Sequence, residues 1–271
     1  MNTLPAVGAP GNPYFANVGD VVKHLVLAEV LGAVRPVAYR EAHAGAPVYA
    51  LAGQRPRPLD VRAFSAAAAG VSALAGSAYA GRLGARPGEY PGSTGLAADL
   101  AAPGCRMLLC DTDPGTREAI AAWAAERGVA GRVEVVAADG PATLVARVPD
   151  DPPGTVSLID PFEIAAEPGG ADPLDAFSAL AARGERAVLW YPFLTDQWAA
   201  GAPEAARLAV VPGAWTCEVR VRDRDVALAA GLAGCGLAVA APGDGLAGAL
   251  DGLVAALLDA MPDLTRRAPG T

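Results

Sequence analysis

Between residues 106 and 192, short aliphatic runs alternate with amphipathic stretches of helix length. They read RMLLCD, PGTREAIAAWAAER, VEVVAAD, GPATLVARV, TVSLIDPF, DPLDAFSALAARG and RAVLWYP. This rhythm predicts the α/β class, a mostly parallel, doubly wound sheet with helices on both faces. Upstream, Asp20 is placed to cap a helix whose Val21, Val22, Leu25, Leu27, Val30 and Leu31 fill one broad apolar face, and PVAYREAHAG reads as a strand running into a glycine turn. Residues 52–90, bounded by Pro and Gly and poor in large core residues, read as a helical insertion within a single domain spanning 1–271. Downstream, TCEVRVR and GLAVAAP predict an antiparallel pair at one edge, LAGALDGLVAALLDAM a closing helix, and TRRAPGT a loose tail.

Composition narrows the function classes. With 29 Asp+Glu against 21 Lys+Arg the net charge is -8 and no basic cluster stands out, which disfavours a large RNA or DNA footprint. Although 52% of the chain is hydrophobic, Ala and Gly dominate, and no window reaches the roughly 20 apolar residues of a membrane span. The neutral Gly/Pro-rich opening lacks a signal pattern, so a cytoplasmic protein without a membrane partner is expected. Cys105, Cys110, Cys217 and Cys235 lie in or beside strand-like runs without metal-ligand spacing, and are expected to be buried thiols; no metal is expected. Oligomeric state stays open.

In an open parallel sheet, ligands bind beyond the carboxyl ends of the strands. Several unusual residues fall at such ends: His43 and Gly45 after the first, Asp111 after the second, Asp139 and Gly140 after the third, Asp160 after the fourth. A carboxylate after the second strand suits a ribose diol, and one after the third suits an adenine amino group. Each acid has a plainer alternative, since Asp is a common helix N-cap and Asp111 and Asp139 both precede helices. The only lysine, Lys23, stands beside His24, one of two histidines, at the front of the first helix.

The segments NVGDVVKH, HAGA (43–46), YPGS (90–93), LLCDTDP, ADG, LIDPFE and LWYP follow one another in an order that resembles the RlmJ family, adenine-N6 methyltransferases of large-subunit ribosomal RNA. The resemblance implies a Rossmann-like S-adenosylmethionine-dependent methyltransferase fold, with S-adenosylmethionine as cofactor. It also implies that Lys23, His24, His43, Ser93, Asp111, Asp139 and Gly140, with the glycine turn at Gly45, line the cofactor site.

The family's Asp-Pro-Pro-Tyr signature reads Asp160-Pro161-Phe162-Glu163 here, as though one proline were deleted. Asp160 can still orient an amine, whereas the aromatic ring is displaced by one residue, and a misplacement near 1 Å costs on the order of 100-fold in rate. The N-terminal arm carries Tyr14 and Phe15 but no basic residue. The expectation is therefore an S-adenosylmethionine-dependent transferase acting on a small-molecule amine, with Asp160 and Phe162 catalytic and Tyr14, Phe15 and Pro161 against the substrate. Two alternatives remain open: methylation of ribosomal RNA as in the RlmJ family, and cyclisation of S-adenosylmethionine to a cyclic amino acid with release of methylthioadenosine.

Overall fold

The computed structural model describes residues 15–147, 152–162, 164, 170–195 and 205–267. Helix α1 (Val18–Val34) leads into β1 (Ala38–Glu41) and the short β2 (Val48–Ala50). Helices α2 (Val61–Ala68), α3 (Ser72–Ala75) and α4 (Ala78–Ala85) come next, then β3 (Glu89–Pro91) and α5 (Ser93–Leu100). Strict alternation follows: β4 (Arg106–Cys110), α6 (Pro114–Glu126), β5 (Val133–Val136), α7 (Gly140–Arg147), β6 (Val156–Ile159), α8 (Pro173–Ala182) and β7 (Arg186–Phe193). The chain ends through α9 (Ala205–Leu208), β8 (Trp215–Val221), α10 (Arg224–Ala230), β9 (Gly234–Val239), α11 (Gly243–Ala260) and β10 (Leu264–Arg267).

One eight-stranded sheet runs β10-β8-β9-β7-β6-β1-β4-β5, parallel from β5 to β7 and antiparallel beyond. This is the Rossmann-like α/β architecture that the alternation predicts. From β1 the chain builds outward through β4 and β5, then returns to the other side of β1 for β6 and β7. The order therefore reverses between β1 and β6, and their carboxyl ends flank a crevice of the kind that holds ligands in doubly wound sheets.

Central strands buried on both faces usually read as unbroken apolar runs. Strand β1 is fully buried yet reads Ala-Tyr-Arg-Glu. Its alternation sends Arg40 to one face, where it caps α7 through the carbonyls of Leu144 and Arg147, and Tyr39 and Glu41 to the other, toward α1 and α5. A side chain at Gly140 is impossible without rearrangement, because a Cβ there would lie 1.8 Å from the Ala42 carbonyl oxygen. That contact sets the start of α7 against the end of β1.

The structure corrects three expectations. Asn17, not Asp20, caps α1: its side chain accepts from the Asp20 N–H at 3.1 Å, and Asp20 lies inside the first turn, where its carboxylate bonds elsewhere. The antiparallel β8 and β9 lie at that side of the sheet as expected, but the start of the run read as a loose tail is ordered, since Leu264–Arg267 adds β10 outside β8; a polar run is a normal composition for an exposed edge strand. The stretch beginning at residue 52 holds α2 to α4, but a small antiparallel sheet of β2 and β3 closes its base. No helix among the described residues is long and apolar enough to cross a membrane.

Candidate active site

The first turns of α1 carry Asp20, Lys23 and His24 on one side, at the three- and four-residue spacing that aligns side chains along a helix. Lys23 Nζ lies 2.8 Å from Asp20 Oδ1 and 2.7 Å from Asp160 Oδ2, so one ammonium ties the front of α1 to the end of β6. All three side chains are largely buried. Burial opposes the charge on Lys23, but the two carboxylates more than offset it and hold the ammonium pKa above its ordinary value.

The two carboxylates respond differently. Burial raises both, yet Asp20 ends below the ordinary range, because Lys23 bonds to it and the Ala16 N–H donates to Oδ2 at 2.7 Å. Asp160 ends above that range: burial dominates, Lys23 offsets only part, and the nearby Asp20 charge pushes further up. Of the two carboxylates, Asp160 is thus the one whose pKa is shifted upward.

The opposite wall of the crevice comes from β1. The Asp160 backbone N–H donates to His43 Nδ1 at 3.3 Å, which makes Nδ1 an acceptor and leaves the ring proton on Nε2. Gly45 follows with a left-handed φ of 48°, and its N–H donates to Asp111 Oδ2 at 3.2 Å, tying the β1 turn to the end of β4. Asp111 also accepts from the Asp113 N–H at 2.8 Å. Each carboxylate oxygen can accept a second bond, so capacity for a diol remains. Its pKa is raised by burial and by the Asp113 charge.

The plainer alternative is settled differently for the two acids. Helix α6 is capped by Asp113, whose carboxylate accepts from the Thr116 N–H at 2.7 Å, so Asp111 is not a cap. Asp139 does serve the start of α7, through the Ala142 N–H at 2.8 Å, and it also accepts from Ala171 at 2.9 Å.

His24 and Ser93 sit deeper. Burial, reinforced by the Lys23 charge, drives the His24 pKa down to about 3, so the imidazole is neutral. Its Nδ1 pairs with the Tyr90 hydroxyl, while its buried Nε2 has no hydrogen-bond partner among the described residues. A buried polar group left so costs about 1–3 kcal/mol unless a ligand meets it. Ser93 donates its hydroxyl to Glu41, which also accepts from Tyr39 at 3.0 Å and Thr94 at 3.1 Å. Burial raises Glu41 to about 7; the Ser93 and Tyr39 bonds pull down and the Asp160 charge pushes up.

Together these groups line one cleft of about 1160 Å³. It contains Lys23, His24, His43, Gly45, Ser93 and Asp111, and also Asp139, Gly140, Asp160, Pro161, Phe162 and Phe15. Gly140 is required for backbone packing, as described above. Phe15 is buried and stacked on Tyr49 with ring centroids 4.5 Å apart, whereas Phe162 is 72% exposed at the mouth. Tyr14 lies outside the described residues.

The sequence reading missed Glu41, Asp20 as an ion-pair partner, and the apolar wall of Trp190 and Leu232. A glutamate inside a predicted central strand was the available signal for Glu41, because such a strand tolerates a carboxylate only when its acceptors are filled.

No family model matches the chain, and no curated protein matches it either. Among solved structures, protein LPL1258 from Legionella pneumophila superposes with a TM-score of 0.74 at 19% identity, covering 95% of this chain and 99% of that one. This likeness shows a shared fold. The O-methyltransferase from Bacillus cereus in complex with SAH matches with a TM-score of 0.43 at 13% identity over 88% and 84% of the two chains. TomG from Streptomyces achromogenes in complex with SAM gives 0.41 at 17% identity over 81% and 79%. At such scores neither of the last two carries weight.

Two outcomes test this site. Replacing Lys23 by Met leaves two carboxylates buried without their cation and is expected to cost about 3–5 kcal/mol in denaturant unfolding; adding Asp20→Asn should recover part of the loss. A cost under about 1 kcal/mol would mean the triad is not a buried ion pair. For Glu41, the raised pKa means the folded chain keeps a proton that the unfolded chain releases. Its stability relative to Glu41→Gln should therefore fall as pH rises from about 4.5 to about 7, by on the order of 3 kcal/mol. A pH-independent difference would contradict the shift.

Proposed function

We propose that the cleft binds S-adenosylmethionine and that the protein transfers its methyl group to an amine of a small molecule. The observation that carries this reading is the convergence of the α1, β1, β4, β5 and β6 residues on one cleft at the point where the strand order reverses. A cavity of about 1160 Å³ exceeds the roughly 300–1,000 Å³ of ordinary ligand sites, so a cofactor and a small acceptor fit together.

The donor set suits this cofactor. Asp111 has acceptor capacity for a ribose diol, Asp139 stands where an adenine amino group is received, and the unpartnered His24 Nε2 suits the carboxylate of the methionine moiety. Lys23 is committed to its two carboxylates, which alters the role implied by family resemblance: it places Asp160 and reaches a ligand only through its third N–H. When bound, the cofactor supplies a methyl group on a good leaving group, so the protein's task is chiefly alignment. Asp160 Oδ2 is held by Lys23, and Oδ1 is the oxygen left to orient an amine and take its proton.

Charge supports a small acceptor over a polynucleotide. The described cleft lining holds Asp20, Asp111, Asp113, Asp139 and Asp160 against a single cation, Lys23, and no arginine. Phosphates would be repelled there. Methylation of an RNA base, as in the RlmJ family, remains the second reading; the exposed Phe162 ring favours it, because a solvent-facing aromatic beside Asp160 can stack on a base.

Incubation with S-adenosylmethionine alone, with amines, and with unmodified ribosomal RNA separates these readings by mass spectrometry of the nucleoside products. S-adenosylhomocysteine formed with amines is the expected result; formation only with RNA would establish the second reading, and methylthioadenosine without acceptor would exclude methyl transfer. Asp160→Asn, which keeps an acceptor for Lys23, should abolish transfer and leave cofactor affinity within about threefold, which is under 1 kcal/mol; retained activity would remove Asp160 from catalysis. Asp111→Ala should weaken cofactor binding in calorimetry by about 1.5–3 kcal/mol. Unchanged affinity would refute its ribose role.

A further inference from the structure

We propose that the half of the cleft walled by Trp190, Pro192, Leu194, Leu232 and Phe162 is the acceptor subsite, and that it selects an aliphatic amine with an apolar body. This rests on the reading of the cleft as a methyl-transfer site, and it names the acceptor class.

Strand order lays the cleft out in sequence. Moving across the sheet, the strand ends present Asp139 from β5, Asp111 from β4 and His43 from β1, then Asp160 from β6. Beyond Asp160 the character changes: β7 brings Trp190 and Pro192, Leu194 follows it, and Leu232 precedes β9. Asp160 is therefore the last acid before an apolar wall. The polar half has the carboxylates, imidazole and turn amides that suit a nucleoside and an amino acid; the wall of Trp190, Pro192, Leu194, Leu232 and Phe162 carries no ionisable side chain.

The wall is fixed in place. Trp190 and Leu232 are buried against α1 at Gly19, where a Cβ would lie 2.6 Å from Leu232 Cδ2 and 2.8 Å from Trp190 Cζ2. Lys23 Nζ stands 5.1 Å from the Trp190 ring centroid, so the triad and the wall brace each other. Phe162, 72% exposed at the mouth, has its ring available to cover a bound ligand.

Charge and shape select the occupant together. The acid excess attracts an ammonium, and Asp160 stands at the border between the two halves, where that nitrogen would meet the cofactor. The apolar wall then takes the hydrocarbon body, worth about 25 cal/mol per Å² removed from water. The bound ammonium gives one proton to solvent by way of Asp160. The freed nitrogen lone pair forms the N–C bond to the methyl carbon as the C–S bond breaks with its electrons on sulfur, leaving S-adenosylhomocysteine and the N-methylated amine.

The test uses the full chain with S-adenosylmethionine and four acceptors: cyclohexylamine, phenylethylamine, ethanolamine and unmodified ribosomal RNA. Cyclohexylamine and phenylethylamine should give S-adenosylhomocysteine with kcat/KM at least about tenfold above ethanolamine, the discrimination expected from a few apolar contacts. Phe162→Ala, at an exposed position that does not hold the fold, should raise KM for cyclohexylamine roughly tenfold with cofactor affinity by calorimetry unchanged. Leu232→Trp should block acceptor binding by filling the subsite. Equal use of ethanolamine, methylation of RNA alone, an unmoved KM in Phe162→Ala, or cofactor binding without product from any amine would overturn the acceptor assignment. Failure to bind the cofactor would instead overturn the methyl-transfer reading beneath it.

Discussion

The buried ion triad of Asp20, Lys23 and Asp160 is the interaction on which the site depends. It joins the first helix to the fourth parallel strand across more than half the chain, with both N–O distances below 3 Å. Because burying a charge is costly without a partner, the triad fixes where α1 can sit against the sheet. That placement in turn seats His24 beside Tyr90 and Gly19 against Trp190 and Leu232. The same triad holds Asp160 between opposing influences, for burial raises its pKa and the ammonium it shares with Asp20 offsets only part of that rise.

Around this anchor the cleft is graded by the topology of the sheet. Strand ends on one side of Asp160 supply acids, an imidazole and turn amides, while those on the other supply indole, proline and leucine. A doubly wound sheet produces such grading at low cost, since each strand end contributes its residues independently while the core beneath is held by helices. Glu41 shows how closely core and site are coupled here. Its carboxylate gathers Ser93, Thr94 and Tyr39 beneath the cleft and feels the Asp160 charge.

Much of the fold was legible because the α/β alternation from residue 106 is written in local hydrophobic periodicity. The pairing of Lys23 with His24 was conspicuous for rarity alone. What local pattern could not carry was long-range partnership. Resemblance places Lys23 only in the cofactor site, and no local pattern reveals its pairing with Asp160, which lies 137 residues away. Asp111 and Asp139 looked alike in sequence, yet Asp113 two residues on relieves Asp111 of capping, while nothing relieves Asp139. The run from Thr265 to Arg267 reads as tail because an exposed edge strand needs no apolar alternation, and Trp190, inside a predicted strand, gives no local sign that it lines the cleft.

The most direct measurement is a crystal structure of the protein with S-adenosylhomocysteine. The ribose hydroxyls should lie within hydrogen-bonding distance of Asp111, with the thioether sulfur facing Asp160 and the apolar half of the cleft left open beside Trp190 and Leu232. A ligand bound elsewhere, or one whose adenosine lies over Trp190 with Asp111 untouched, would contradict the division of the cleft into cofactor and acceptor halves.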